Sequence, residues 1–276
     1  MKLIIPILLI CLFFFKSNGQ KIGNVNWKEV RVLIYTKNGK GYVHENIPAA
    51  VSCIQKLGQQ YGFKTEVSEN PNAFTEENLK QYTLLIFTST NNDVFDSDEQ
   101  RLAFRHFIEA GGGFVGIHSV VGTERNWDWF KMMLGGTFSW HPKFQKYKLQ
   151  VIDKGHPSTS GLPTVWEKED ECYFQKEMYP GIKTILAHDI NSLKEDDQEK
   201  IKLHAGPYSK LYPAAWYQKF DGGYIWITAL GHDKKDYEDP TYVNHIFQGI
   251  KFVASQLASK EYSKAYAQNR DEVIKN

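Results

Sequence analysis

The chain has 276 residues, with 33 Lys and Arg against 32 Asp and Glu and a formal net charge of +1. The basic residues are scattered and form no stripe, which argues against nucleic acid or an acidic polymer as partner. Hydrophobic residues make up 42% of the chain, enough for one sizeable core, and the 7 Trp and 15 Tyr suit a carbohydrate site without establishing one.

Residues 1–19 read as an export signal. Lys2 gives a short positive start, and Leu3 to Phe15 form an apolar run too short for a comfortable membrane span. Ser17-Asn18-Gly19 then supply small residues before Gln20. The alternative, an uncleaved anchor, lacks a stop-transfer flank. Cys11 lies inside the apolar run and does not read as a lipoprotein cysteine. The expected mature chain, residues 20–276, is a periplasmic single domain without a stable membrane span. It keeps Cys53, which falls in an apolar helical pattern, and Cys172; one disulfide between them stays open in an oxidising compartment.

Val30 to Tyr35 reads as a buried strand, followed by a polar loop over Thr36 to Asn46. Val51, Ile54, Leu57 and Tyr61 are spaced for a helix over Ile47 to Tyr61. Phe63 to Val67 is a second strand. Thr83 to Thr88 is a continuous apolar run of the kind a parallel sheet buries on both faces, and the polar Ser89 to Asp93 cluster follows it. Ser97 with Gln100 makes a capping box for a helix that Gly111 to Gly113 stop. Phe114 to Ile117 follows as a strand, and Trp127 to Leu134 as a short helix.

The alternation of strands and helices predicts a doubly wound, flavodoxin-like α/β sheet, mostly parallel. The second half is more β-rich, with strands over Tyr147 to Ile152, Lys183 to Ala187, Ala214 to Gln218 and Tyr224 to Leu230. Asp221-Gly222-Gly223 marks a hairpin turn between the last two. Asn191 to Lys202 reads as a solvated loop, Pro240 opens a last helix, and the tail from Ser255 reads as a loose helix.

Ligands in such sheets bind beyond the carboxyl ends of strands. The Thr36 to His44 loop, the Ser89 to Asp93 loop and His118-Ser119 all emerge there. His118, at the exit of a buried strand in GGGFVGIHS, is a candidate base or metal ligand. His232 repeats the pattern, a strand ending in glycine and then histidine, with Asp233 beside it. His44 and the inward carboxylate Glu171 complete the candidate catalytic set. Ser119 is an alternative nucleophile with no base or oxyanion hole in evidence. Trp140-His141-Pro142 offers an imidazole beside an indole for a sugar, with Tyr173 and Trp216 as further stacking surfaces. His156 reads as part of a turn, and His106, His188, His204 and His245 as residues without a role. Several histidines and a carboxylate suit a divalent metal, although no local HxH or HExxH spacing specifies one.

The motifs GGGFVGIHS (111–119), LGGTFSWHP (134–142), DECY (170–173), PAAW (213–216) and ALGHD (229–233) together resemble the ThuA-like family, named for trehalose utilisation. The resemblance spans nearly the whole mature chain and implies the class I glutamine amidotransferase-like fold. It places His118 where amidotransferases carry their nucleophilic cysteine, so no glutaminyl thioester can form. It also implies work on disaccharides or 3-keto sugars, by histidine acid–base chemistry in an enzyme. The alternatives are a non-catalytic sugar-binding accessory protein and a metal-dependent hydrolase.

Overall fold

A computed structural model describes residues 23–194 and 198–275; the expected export signal lies outside them. Strand β1 (Arg31–Tyr35) is buried from Val32 onward and pairs in parallel with β2 (Lys64–Ser68) on one side and β3 (Leu84–Thr88) on the other. Helix α1 (Ile47–Tyr61) joins β1 to β2, and a short helix, α2 (Glu76–Leu79), precedes β3. Helix α3 (Asp98–Glu109) leads to β4 (Gly113–Ile117), parallel to β3. Both β3 and β4 are buried at every residue, which explains their unbroken apolar sequences.

The remaining strands are β5 (Thr137–Trp140), β6 (Gln145–Val151), β7 (Val165–Asp170), β8 (Phe174–Lys176), β9 (Lys183–Asp189), β10 (Leu211–Phe220) and β11 (Gly223–Thr228). They are accompanied by α4 (Asp128–Leu134), α5 (Gln198–Ala205) and α6 (Pro240–Gln256). The main sheet has the order β2-β1-β3-β4-β11-β10-β9-β6-β7, and β5 pairs with β8 apart from it. Strands β2, β1, β3, β4 and β11 are mutually parallel, while the four beyond β11 alternate in direction. The order 2-1-3-4 at the parallel end is the flavodoxin-like winding.

Side-chain alternation splits the core between the two faces. Val32, Ile34, Leu84, Ile86 and Val115 pack with α1 and α6. Leu33, Leu85, Phe87 and Phe114 pack with α3 and α4. Tyr242, Ile246, Ile250 and Val253 are buried on α6, as their spacing requires.

Several local expectations change. Within the stretch read as a solvated loop, α5 forms because Ile201 and Ala205, one turn apart, bury together. The tail is no helix beyond a 3-10 turn at Tyr262–Lys264. It is pinned in irregular form because the Glu109 carboxylate accepts from the backbone N–H groups of Tyr266 and Ala267. Ser97 caps α3, but Gln100 reaches the N–H of Asp96. Cys53 and Cys172 are buried and free, so the open disulfide is not formed. Among the described residues no helix is long and apolar enough to cross a membrane.

Candidate functional site

The carboxyl ends of β1, β3, β4 and β11 face one crevice. Strand β4 ends at Ile117, and His118 turns off it at φ +55° to begin a 3-10 turn over His118–Gly122. A non-glycine residue held there costs on the order of 1–3 kcal/mol, and such strain is typical of functional turns. The His118 imidazole is fully buried.

At the end of β11, Gly231 has φ +104°, and a Cβ on it would lie 2.0 Å from the Tyr242 hydroxyl. Glycine is therefore required for the turn that presents His232. Asn46 ties the loop bearing His44 to this turn by donating to the Gly231 carbonyl at 2.6 Å. Glu171 leaves the end of β7 beside Asp170, whose buried carboxylate holds the strand end and the turn together. Asp170 Oδ1 accepts from the N–H groups of Glu171 (2.9 Å) and His232 (3.1 Å), and Oδ2 from Gly231 N–H (2.8 Å) and Lys168 Nζ (3.3 Å).

His44, His118, Glu171 and His232 each present one ligand atom, and those atoms lie within 4.8 Å of one another. His232 Nδ1 is 3.0 Å from Glu171 Oε2 and 3.3 Å from His118 Nε2, which is 3.8 Å from Glu171 Oε2. The tautomers follow from the partners. His118 Nδ1 faces the Ala229 carbonyl at 3.3 Å and must carry the proton, leaving Nε2 bare. Ser119 spends its only hydroxyl proton on the Thr90 carbonyl, so its oxygen accepts from His44 Nδ1 at 3.1 Å and leaves His44 Nε2 bare. The Tyr173 hydroxyl stands 3.3 Å from both bare nitrogens and can donate to only one.

Electrostatics reinforce this arrangement. Burial, helped by the charge of His232, lowers the pKa of His44 to about 4. Burial and the neighbouring histidines hold His118 well below the ordinary value. Both rings are therefore neutral at pH 7. For His232, burial disfavours the cation, but Glu171, Asp170 and Asp233 outweigh it and the pKa is raised. Burial would raise Glu171, yet its bond to His232 and the surrounding imidazoles lower it. The Tyr173 phenol is pushed well above its usual range by burial and by Glu171.

His141, also expected here, lies at the rim with Nε2 3.7 Å from Glu171 Oε1, and its Nδ1 is turned to the Pro142 carbonyl. A cavity of about 550 Å³ opens over the group, lined by His44, Ser119, His141, Glu171, Tyr173 and His232. Besides the fully buried His118 beneath it, three expected residues do not line it. Trp140 stacks on His204 and Phe174 although Phe138, two residues earlier, lines the crevice, because a register irregularity between Phe138 and Trp140 breaks the strand's alternation. Trp216 is fully buried in β10 and donates to the Leu134 carbonyl. Asp233 caps the next turn through Lys235 N–H and borders a neighbouring depression.

His156 caps a turn and His245 binds the Ser158 carbonyl, both away from the crevice. Cys172 sits in sequence between two crevice residues, but its thiol packs in the apolar core and burial raises its pKa well above normal. Sequence patterns alone miss Asp170, masked within an acidic triplet, and the crevice residues Arg125 and Phe138; they place the loops of Tyr42, Asn91 and Asn92 at this edge without singling those residues out. Only the glycine-terminated 3-10 turn after His118 hints that Arg125 folds back to the same edge.

The parallel strand order with a strained turn after β4 defines a flavodoxin-like α/β protein with histidine at the turn, a fold resembling that of glutamine amidotransferases. The chain belongs to the ThuA family, described as trehalose utilisation, whose sequence profile matches residues 31–253. A ThuA-like protein of Bacteroides uniformis has a similar structure, with a TM-score of 0.68 at 21% identity over 87% of this chain and 97% of that one. Another, of Parabacteroides merdae, gives 0.63 at 17% identity over 84% and 92%. A GMP synthase subunit of Thermoplasma acidophilum gives 0.50 at 13% identity over 82% and 94%, a likeness of fold alone. No curated protein matches the sequence.

Proposed function

We propose that this ThuA-family chain is an exported enzyme of disaccharide or keto-sugar utilisation whose crevice binds a divalent transition metal. The observation that carries the proposal is the spacing of the ligand atoms. Metal–ligand bonds of about 2.0–2.2 Å place the ligands of a tetrahedral site about 3.3–3.6 Å apart. The separations among His118, His232 and Glu171 are 3.3, 3.0 and 3.8 Å. His44 adds a fourth donor within reach. Three imidazoles and one carboxylate suit zinc and its first-row neighbours. The outer hydrogen bonds to Ala229 and Ser119 fix bare Nε2 atoms toward the centre, as the outer partners of metal-binding histidines do.

A metal held by His44, His118, Glu171 and His232 would polarise a sugar carbonyl or hydroxyl oxygen and so acidify the adjoining C–H or O–H bond. His141, whose Nδ1 proton is engaged by Pro142, turns a bare Nε2 to the crevice and is placed to take that proton. Tyr173, kept protonated, is placed to donate to a developing oxyanion. Glutamine amidotransfer has no place here, since the turn carries an imidazole and the nearby Cys172 thiol is buried.

Metal content of untagged protein, followed by turnover of oxidised and unoxidised disaccharides before and after EDTA dialysis, tests the proposal. Bound metal near one equivalent and EDTA-sensitive turnover are expected. Metal-free protein of full activity would instead support histidine base catalysis by His118, which its neutral state at pH 7 also favours. A protein that binds sugars without turnover, unchanged in His118→Ala, would be an accessory binder.

A further inference from the structure

Arg125 is held on the crevice wall without a counter-ion. Its Nε donates to the Gly122 carbonyl at 2.9 Å, and Nη2 donates to Asn91 Oδ1 at 3.0 Å. The guanidinium carbon lies 5.2 Å from the centre of the Phe138 ring. Gly122 is needed for this pose, since a Cβ there would lie 2.6 Å from Asn91 Oδ1 and 2.8 Å from Arg125 Nη2. Three neutral neighbours thus fix the side chain, and no carboxylate among the described residues lies within ion-pair distance of it. The half-buried cation contrasts with two other arginines of the chain, Arg101 and Arg105. Arg101 is matched by Glu124 at 2.7 Å, and the buried Arg105 by Glu109 at 2.8 Å and Asp221 at 3.7 Å. A guanidinium withdrawn from water is ordinarily paired.

The cavity lining around Arg125 contains one carboxylate, Glu171, which is committed to His232. It contains no lysine and no second arginine.

We propose that Arg125 is a substrate-binding residue for a carboxylate, so that the sugar taken by this crevice is an acidic one of the uronic or aldonic class. The inference deepens the carbohydrate reading of the crevice and rests on it. A guanidinium fork matches a carboxylate edge, and charge-assisted bonds are about twice as strong as neutral ones. One fixed cation balances a monoanion; a phosphate dianion would be left undercompensated. A neutral sugar would leave the guanidinium unpaired, whereas an acidic one places its carboxylate at Arg125 and a hydroxyl or carbonyl oxygen over the histidine cluster.

The test is calorimetric titration of the full-length protein with D-glucuronate, D-gluconate, D-glucose, glucose 6-phosphate and acetate, as purified and after EDTA dialysis. Wild type is expected to bind glucuronate or gluconate roughly tenfold or more tightly than glucose in both preparations. Arg125→Gln is expected to bring that ratio close to one. Arg125→Lys, which keeps charge and loses the fork, is expected to retain part of it, and circular dichroism checks that each variant folds. Equal binding of glucose and glucuronate by wild type overturns the inference while leaving the carbohydrate reading standing. So does a preference that survives in Arg125→Gln or vanishes with EDTA, which would assign the carboxylate to the metal. Tighter binding of glucose 6-phosphate overturns the choice of carboxylate. Acetate bound as tightly as glucuronate sinks the carbohydrate reading but leaves an anion site at Arg125. Absence of all binding refutes both.

Discussion

Asp170→Asn tests whether the crevice is held together from behind. The wild-type carboxylate lies at 0% exposure and accepts three backbone N–H groups and the Lys168 ammonium, two donors on each oxygen. An asparagine must turn its NH2 group toward one of these pairs. Either Gly231 N–H and Lys168, or Glu171 N–H and His232 N–H, then lose their acceptor. Hydrogen bonds to a charged group contribute about 1.5–3 kcal/mol each, so the gross loss is about 3–6 kcal/mol. Lys168 keeps Asp236 as a partner, which offsets part of the loss. A net destabilisation of about 3–5 kcal/mol is expected, as for other broken buried pairs.

Urea unfolding followed by circular dichroism should show this as a lower midpoint with unchanged slope. Because the same bonds position Glu171 and His232, zinc affinity by calorimetry should fall about 10–100-fold at temperatures where the variant is folded. Unfolding free energy within about 1 kcal/mol of wild type, together with unchanged zinc affinity, would refute the assignment of Asp170 as the clamp.

Four further outcomes follow from named contacts. His118→Ala should lose stoichiometric metal binding and turnover while keeping its circular dichroism spectrum; retained metal would remove His118 from the ligand set. Gly231→Ala should destabilise by more than about 3 kcal/mol through the clash with Tyr242 and the positive φ, measured by urea unfolding. Trp140→Ala should lower the melting temperature through lost packing yet leave sugar affinity within about twofold, because the indole faces His204 and not the crevice.

The fourth concerns pH. Burial lowers His188 to about 3, and neither ring nitrogen has a hydrogen-bond partner among the described residues. The unfolded chain takes up that proton near pH 6.5 and the folded one does not until about 3. Stability contributed by the neutral ring is therefore complete above about 6.5 and is lost as pH falls toward 3. His188→Leu should remove about 1.4 kcal/mol per pH unit from the acid-side slope between pH 6 and 4. An unchanged slope would show that His188 is not protonated differently in the two states.

Much of the fold is legible in the chain. The apolar runs of β3 and β4 leave no alternative to strands buried on both faces. The three-to-four-residue spacing in α1 and α6 sets their inner stripes, and the glycine at 231 marks a turn that no other residue can make. The strand exits also point to His118, His232 and His44, because a doubly wound sheet gathers its carboxyl ends at one edge. The short strands β5, β7 and β8 are not legible, since partners distant in sequence, and not local periodicity, hold them in place. For the same reason local pattern points Trp140 wrongly into the crevice and gives no sign of Asp170.

What the sequence determined by itself is the α/β winding, the edge of the sheet where its histidine-bearing strands end, and an imidazole at the turn in GGGFVGIHS. What only the tertiary structure decided is the convergence of His44, His118, Glu171 and His232 within 4.8 Å, the tautomers imposed by Ala229 and Ser119, and the unpaired guanidinium of Arg125 facing them. Metal-ligand spacing and charge pairing are distances in space between segments far apart along the chain. Local sequence encodes the strands that carry them, and only the packed sheet sets the separations.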